Sequence, residues 1–243
     1  MKKLFFLFLS VFLAATGICQ TDLTPAASDE EMLPEGLPTG EIAPNIMARD
    51  VFGENVSLSS MLRNGPVLVV FIEGSWSGPC MTYLSMLNDS LATLQQYDTQ
   101  LLVLTTEKSD YSKKIPMKTG GTYPLVFDEG GRMASQFNVQ YTASEEYCKR
   151  MKATGGIDIA ERTGTDPVHL VLPSVVLIHP SKKIIYSASN QHVDELPMVY
   201  EMAAAFNHKS SDEDDKGKDD QEQEKNDKGD KKEKEKKKKE RRD

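Results

Sequence analysis

Three cysteines, Cys19, Cys80 and Cys148, are the residues of this 243-residue chain best suited to covalent chemistry. Cys80 has the most suggestive surroundings. It ends the stretch Glu73-Gly-Ser-Trp-Ser-Gly-Pro-Cys80, between an apolar run and a helical pattern. A cysteine attacks as the thiolate, and unpaired N–H groups and the dipole at a helix start favour that form. Ser77 suits the N-cap position and Pro79 suits the opening turn, which needs no N–H from it. Cys80 therefore falls in the first turn, with the Ser77 hydroxyl three residues ahead. A reactive thiol and a small buried hydrophobe both fit that placement. The four histidines, His169, His179, His192 and His208, show no ligand spacing, so no metal and no bound cofactor are expected.

The elements around this loop read as alternating strands and helices. Pro66–Ile72 is a continuous β-branched and apolar run, the pattern of a strand buried on both faces. The helix after it spans about Pro79–Tyr97, with Met81, Leu84, Leu87, Leu91 and Leu94 at helical spacing. Ahead of the run, Ile46–Val51 and Glu54–Leu58 flank Gly53 as a short hairpin, followed by a helical turn at Ser59–Arg63. Beyond it, strands are expected at Leu101–Thr105 and Tyr123–Phe127, and helices at Ser109–Lys114, Gly131–Phe137 and Glu145–Thr154. Gly155–Pro167 reads as an irregular insertion. Val171–Ile178 and Lys183–Ser187 pair across a turn, and Val193–Phe206 reads as one closing helix. The expected fold is α/β: three layers, α/β/α, around a central mixed sheet in one domain over residues 41–207.

Trp76-Ser-Gly-Pro-Cys80, after a buried strand and opening a helix, resembles the thioredoxin active-site loop. The Val-Leu-Val-Val-Phe strand with Gly-Ser-Trp-x-x-x-Cys resembles the peroxiredoxin-like branch of the alkyl hydroperoxide reductase/thiol-specific antioxidant (redoxin) family. Pro124-Leu-Val-Phe-Asp-Glu-Gly-Gly-Arg-Met-Ala-Ser-Gln-Phe-Asn-Val139 and Leu172-Pro-Ser-Val-Val-Leu-Ile178 do the same, in family order. The resemblance implies a thioredoxin-like fold, with Cys80 as the catalytic thiol and Ser77 as the hydroxyl that holds a peroxide oxygen. It implies that Pro173 is a cis-proline docking substrate chains, with Trp76 as a lid over the thiol. It also implies a peroxide or a protein thiol or disulfide as substrate, and an external thiol reductant supplied by a reducing partner. Two features depart from the family. Ser77 stands where a dithiol enzyme has its attacking cysteine, so a disulfide cannot form within the loop. The peroxidase proline falls at Glu73, and no arginine stands near Leu172–Pro173, leaving Arg162 and Arg132 as substitutes if the chain returns to the loop. Cys148 is a candidate resolving thiol, although nothing in the sequence brings it to Cys80. A thiol oxidoreductase handling hydroperoxides or mixed disulfides is thus one expectation. A degenerate module that docks extended polypeptides beside Pro173 is the other.

The two ends have a different character. Lys2 and Lys3, the apolar Leu4–Ala15 and the small residues after them form a signal-peptide pattern over residues 1–19. The apolar run is shorter than the roughly 20 residues a spanning helix needs, so a periplasmic or secreted location is expected without a permanent span. Anchoring through Cys19 as a lipoprotein is the weaker expectation, because Ile18 occupies a position such sites give to a small residue. Residues 20–40 read as a flexible lead-in. Residues 208–243 carry no apolar side chain, and a segment with nothing to bury is expected to stay disordered. The net charge of −8, without a basic stripe in the domain, argues against nucleic acid as a partner. Nothing in the sequence fixes an oligomeric state.

Overall fold

The run Val67–Ile72 is strand β3, and every one of its side chains is buried. A computed structural model of the protein describes residues 33–206. The expected signal peptide, the charged tail and most of the lead-in lie outside the described residues. Elements preceding β3 are the hairpin β1 (Met47–Arg49) and β2 (Asn55–Ser57) and the short helix α1 (Leu58–Met61). After it come α2 (Gly78–Gln95), β4 (Gln100–Thr105), α3 (Ser109–Ser112), α4 (Ile115–Thr119) and β5 (Leu125–Phe127). Then follow α5 (Arg132–Gln136), β6 (Gln140–Thr142), α6 (Glu145–Gly155), α7 (Ile159–Thr163) and β7 (His169–Val171). Strands β8 (Ser174–Ile178) and β9 (Ile184–Ser189) complete the sheet.

The central sheet runs β5-β4-β3-β8-β9. Strands β3, β4 and β5 are parallel to one another, and β8 and β9 are antiparallel to their neighbours. Side chains of a strand point alternately to opposite faces, and β3 divides its residues accordingly. Val67, Val69 and Phe71 enter one core with Met133, Phe137, Tyr147 and Ile159. Leu68, Val70 and Ile72 enter the other with Leu84, Leu87, Leu94 and Met202. The expected mixed α/β/α architecture is what the structure has. Among the described residues no helix is long and apolar enough to cross a membrane.

Three local readings are corrected. The insertion Gly155–Pro167 is not wholly irregular: α7 lies inside it, capped by the Asp158 carboxylate, which accepts from the Glu161 N–H, and closed by Gly164 at φ +75°. The expected strand Val171–Ile178 is two strands, because Pro173 has no N–H for a ladder. β7 pairs with β6, whereas β8 pairs with β3 and β9. The closing helix is likewise broken. Val193–Glu195 is a single 3-10 turn, Leu196 is extended ahead of Pro197, and helix resumes over residues 199–206.

Candidate active site

The loop from β3 to α2 reverses at Gly74, whose carbonyl accepts from the Ser77 N–H at 3.2 Å. The Trp76 indole folds back onto Gly74 so closely that a side-chain carbon there would collide with the ring, which explains the glycine. Ser77 caps α2 as expected: its hydroxyl accepts from the Cys80 N–H at 3.4 Å.

A clasp of buried polar groups holds the loop from behind. Glu107, just past the end of β4, is 0% exposed. Its carboxylate accepts from the Ser75 N–H at 2.7 Å, the Ser75 hydroxyl at 2.9 Å and Arg162 Nη1 at 2.6 Å. The Thr105 hydroxyl donates to the Glu73 carbonyl at 3.0 Å and accepts from the Glu107 N–H at 3.1 Å. Arg162 comes from α7. Its guanidinium lies 4.5 Å from the Tyr111 ring centre and 5.9 Å from that of Trp76. Of the two substitute arginines, Arg162 does return to the loop, but its charge is committed to Glu107. Arg132 is exposed on α5 beside Asp128.

The sulfur itself is sealed. Cys80 is 0% exposed, in the core that holds Tyr83, Leu84 and Val175. Burial, and next the negative charge of Glu73, push its thiol up to about 12, against smaller opposing effects from the Ser77 hydroxyl and the Glu73 backbone. The helix start favours thiolate, but a dipole contributes about 0.3–1 kcal/mol, up to about 2 when partly buried. A rise from 9 to about 12 corresponds to about 4 kcal/mol in the opposite direction. Burial wins, and no cation among the described residues acts on the thiol to reverse it. Glu73 is itself only 7% exposed, and burial raises its carboxyl to about 7, with the Ser77 hydroxyl favouring the charged form.

Tyr141 and Tyr147 complete the surroundings. Burial raises both phenols, and the Glu73 charge adds to the effect on each. The Tyr141 hydroxyl is buried without a hydrogen-bond partner among the described residues. The buried Trp76 Nε1 lies beside the Tyr147 hydroxyl without closing a well-formed hydrogen bond. Cys148, half-buried on α6, is a free thiol, as is Cys80. It is near enough to Tyr141 and Tyr147 for its charge to bear on both phenols.

Pro173 departs from expectation. The Leu172–Pro173 bond is trans, and the cis bond among the described residues is Asp166–Pro167. The backbone around Pro173 is already engaged. The Leu172 N–H donates to the Val139 carbonyl, and the Leu172 carbonyl accepts from the Ser174 hydroxyl. The Pro173 carbonyl accepts from the Asn190 N–H. These bonds hold the segment extended between β7 and β8. Sequence reasoning did not single out Glu73, Ser75 and Glu107 as site residues; the available signal was a carboxylate directly after the wholly apolar β3 and another two residues past β4. Among the described residues no group of three or more His, Cys, Asp or Glu side chains could hold a metal.

The fold and the loop can be set beside known proteins. Similar solved structures include the peroxidoxin BcpB of Mycobacterium tuberculosis (17% identity, TM-score 0.55, covering 73% of this chain and 98% of that one). Peroxiredoxin 6 of Arenicola marina, solved as a cysteine-to-serine mutant, is 18% identical with a TM-score of 0.51, over 69% and 71% of the two chains. A putative protein disulfide isomerase of Bacteroides thetaiotaomicron is 20% identical with a TM-score of 0.50, over 73% and 92%. At these identities the likeness is one of fold. No curated protein matches the sequence. The profile of the AhpC/TSA family matches residues 39–187, spanning the hairpin, the Cys80 loop and the sheet through β8 into β9, so the chain belongs to the AhpC/TSA family, within the thioredoxin-like superfamily.

Proposed function

We propose that the chain is an exported thiol oxidoreductase of peroxiredoxin-like type whose Cys80 is latent, becoming competent when the packing around the start of α2 opens. One observation carries this reading: the Glu73 carboxyl is buried beside the thiol, and no cation among the described residues acts on it. Burying an unpaired carboxylate costs several kcal/mol, which a merely structural core would avoid by placing an apolar residue there. A buried, displaced carboxyl beside a cysteine in such a loop marks a candidate functional site. In this reading Glu73 accepts the thiol proton and Ser77 holds a peroxide oxygen.

In the opened state the Cys80 proton passes to Glu73. The thiolate then attacks a hydroperoxide oxygen, the S–O bond forms as the O–O bond breaks, and the alcohol leaves with the proton returned by Glu73. The sulfenic acid reacts with one external thiol, releasing water and leaving a mixed disulfide. A second external thiol restores Cys80 and carries off the oxidised disulfide. Cys148 would substitute for the first external thiol only if α6 moved.

A second reading follows from the closure of the thiol: a catalytically silent family member that binds extended polypeptides beside Pro173. Such a ligand would have to displace the Asn190 and Ser174 bonds already made there. Peroxide consumption with an external thiol reductant, comparing wild type with Cys80→Ser, separates the readings. A Cys80-dependent rate is expected, and equal negligible rates would leave only the second. Export through residues 1–19 is checked by the mass of the protein recovered outside the cytoplasm.

A further inference from the structure

A cavity of about 530 Å³ opens at the other end of the parallel strands. It lies where β4 and β5 begin, reached by Gln100 and Pro124, whereas Glu73 and Glu107 stand at the strands' far ends. Five residue steps, about 16 Å, separate the two ends of β3. The volume falls within the roughly 300–1,000 Å³ of small-ligand sites.

Its lining has an unusual character. The chain is 27% charged, yet among the described residues no Asp, Glu, Lys, Arg or His lines this cavity. Carboxamides take their place: Asn55, Asn64, Asn88, Gln95 and Gln100 all face it. Two of these brace the walls, Asn88 donating to the Gly120 carbonyl at 3.1 Å and Gln100 to the Met61 carbonyl at 2.8 Å. The side chains of Asn55, Asn64 and Gln95 make no hydrogen bond among the described residues and are exposed. Thr99 also lines the cavity. It is 3% exposed, and its buried hydroxyl has no partner among the described residues. A buried polar atom without a partner is rare and calls for an explanation. Met61, Leu91 and Tyr123 contribute apolar surface beside these groups.

A carboxamide offers donors and an acceptor together, which matches a hydroxyl group that also does both. A charged ligand would find no counter-charge here, and a wholly apolar one would strand the amides. We propose that this cavity binds a neutral saccharide, its hydroxyls paired with Asn55, Asn64 and Gln95 and its C–H face set against the apolar side chains.

Amide NMR on the full ¹⁵N-labelled chain tests this, because the side-chain NH₂ signals of the three free carboxamides report contact directly. Glucose, N-acetylglucosamine and maltose serve as probes, taken to tens of millimolar, with glucose 6-phosphate and a Ser/Asn-rich tetrapeptide as contrasts. Saturable shifts are expected for at least one neutral sugar, confined to residues near 55–64, 88–101 and 122–124. The Asn64→Ala and Gln95→Ala variants alter exposed positions and should keep the wild-type Tm while weakening that binding about tenfold each. Absence of saturable shifts with every neutral sugar would overturn the proposal. So would shifts lying elsewhere, tighter binding of the phosphate sugar, or binding of the peptide alone. The outcome is independent of whether Cys80 turns over.

Discussion

The reactivity of Cys80 can be measured against the geometry that seals it. The perturbation is alkylation by iodoacetamide across pH, in a Cys148→Ser background so that one thiol of the folded domain responds. A thiol titrating at 9 is about one part in a hundred thiolate at pH 7, and one at about 12 is about one part in a hundred thousand. Charge alone therefore slows labelling about a thousandfold relative to an unperturbed cysteine. Full burial of the sulfur slows it further, because reagent must wait for the protein to open locally around it. The rate in native protein is expected to climb tenfold per pH unit to at least pH 10 without a plateau. It should jump to the free-thiol rate when the chain is unfolded in denaturant. Glu73→Gln removes the negative neighbour and should raise the native rate at pH 8–9, while leaving the burial contribution in place. A labelling midpoint at or below about 8.5 would refute the reasoning, since the helix start would then have outweighed burial.

Other outcomes follow from the same contacts. Glu73 titrates near 7 in the folded protein against 4.5 when free, so the folded state holds its proton more tightly. Stability contributed by this group is thus present below pH 4.5 and lost as pH rises through 7, a total of about 3 kcal/mol. Glu73→Gln should flatten that part of a urea-denaturation pH profile, and an unchanged slope between pH 5 and 7.5 would contradict the burial. Arg162→Ala leaves the Glu107 carboxylate buried and unpaired, which should lower stability by about 3–5 kcal/mol. Trp76 is the chain's one tryptophan, so its emission should shift to the red in the same variant as the loop loosens. Arg162→Lys should restore part of the stability but not the stacking on Tyr111. Leu102→Ala, in the middle of β4 with no exposed surface, should cost about 2–5 kcal/mol of unfolding free energy with unchanged spectra.

Much of the framework was legible because its signals are local. The unbroken β-branched and apolar run at Val67–Ile72 read as an interior strand, and Ser77-Gly-Pro-Cys80 marked a helix start that the Ser77 cap reproduces. The errors arose where a short-range cue was overruled or too brief to weigh. Asp158-Ile-Ala-Glu161 followed by Gly164 is a capped helix of five residues, too short for any periodicity to announce. Pro173 and Pro197 each interrupted an element that apolar character alone carried through. The chemistry of the site was less legible than its position. Whether Cys80 is thiolate depends on depth below the surface and on Glu73, and both follow from tertiary packing. That Arg162 reaches the loop depends on an insertion whose path the sequence does not disclose.

The clasp on the loop also orders events in time. Ser75 meets Glu107 across 32 positions, and Glu107 meets Arg162 across 55. Contacts between such distant positions form only after the intervening chain has been made and gathered in. As the polypeptide emerges from its N-terminal end, β3 and the start of α2 are present well before α7 can lock them. Through that interval β8, whose Val175 shares the Cys80 core, is also still to come, so the sulfur is not yet enclosed. An oxidant or a thiol-bearing chaperone meeting the nascent chain then has an access that the closed, finished protein withholds.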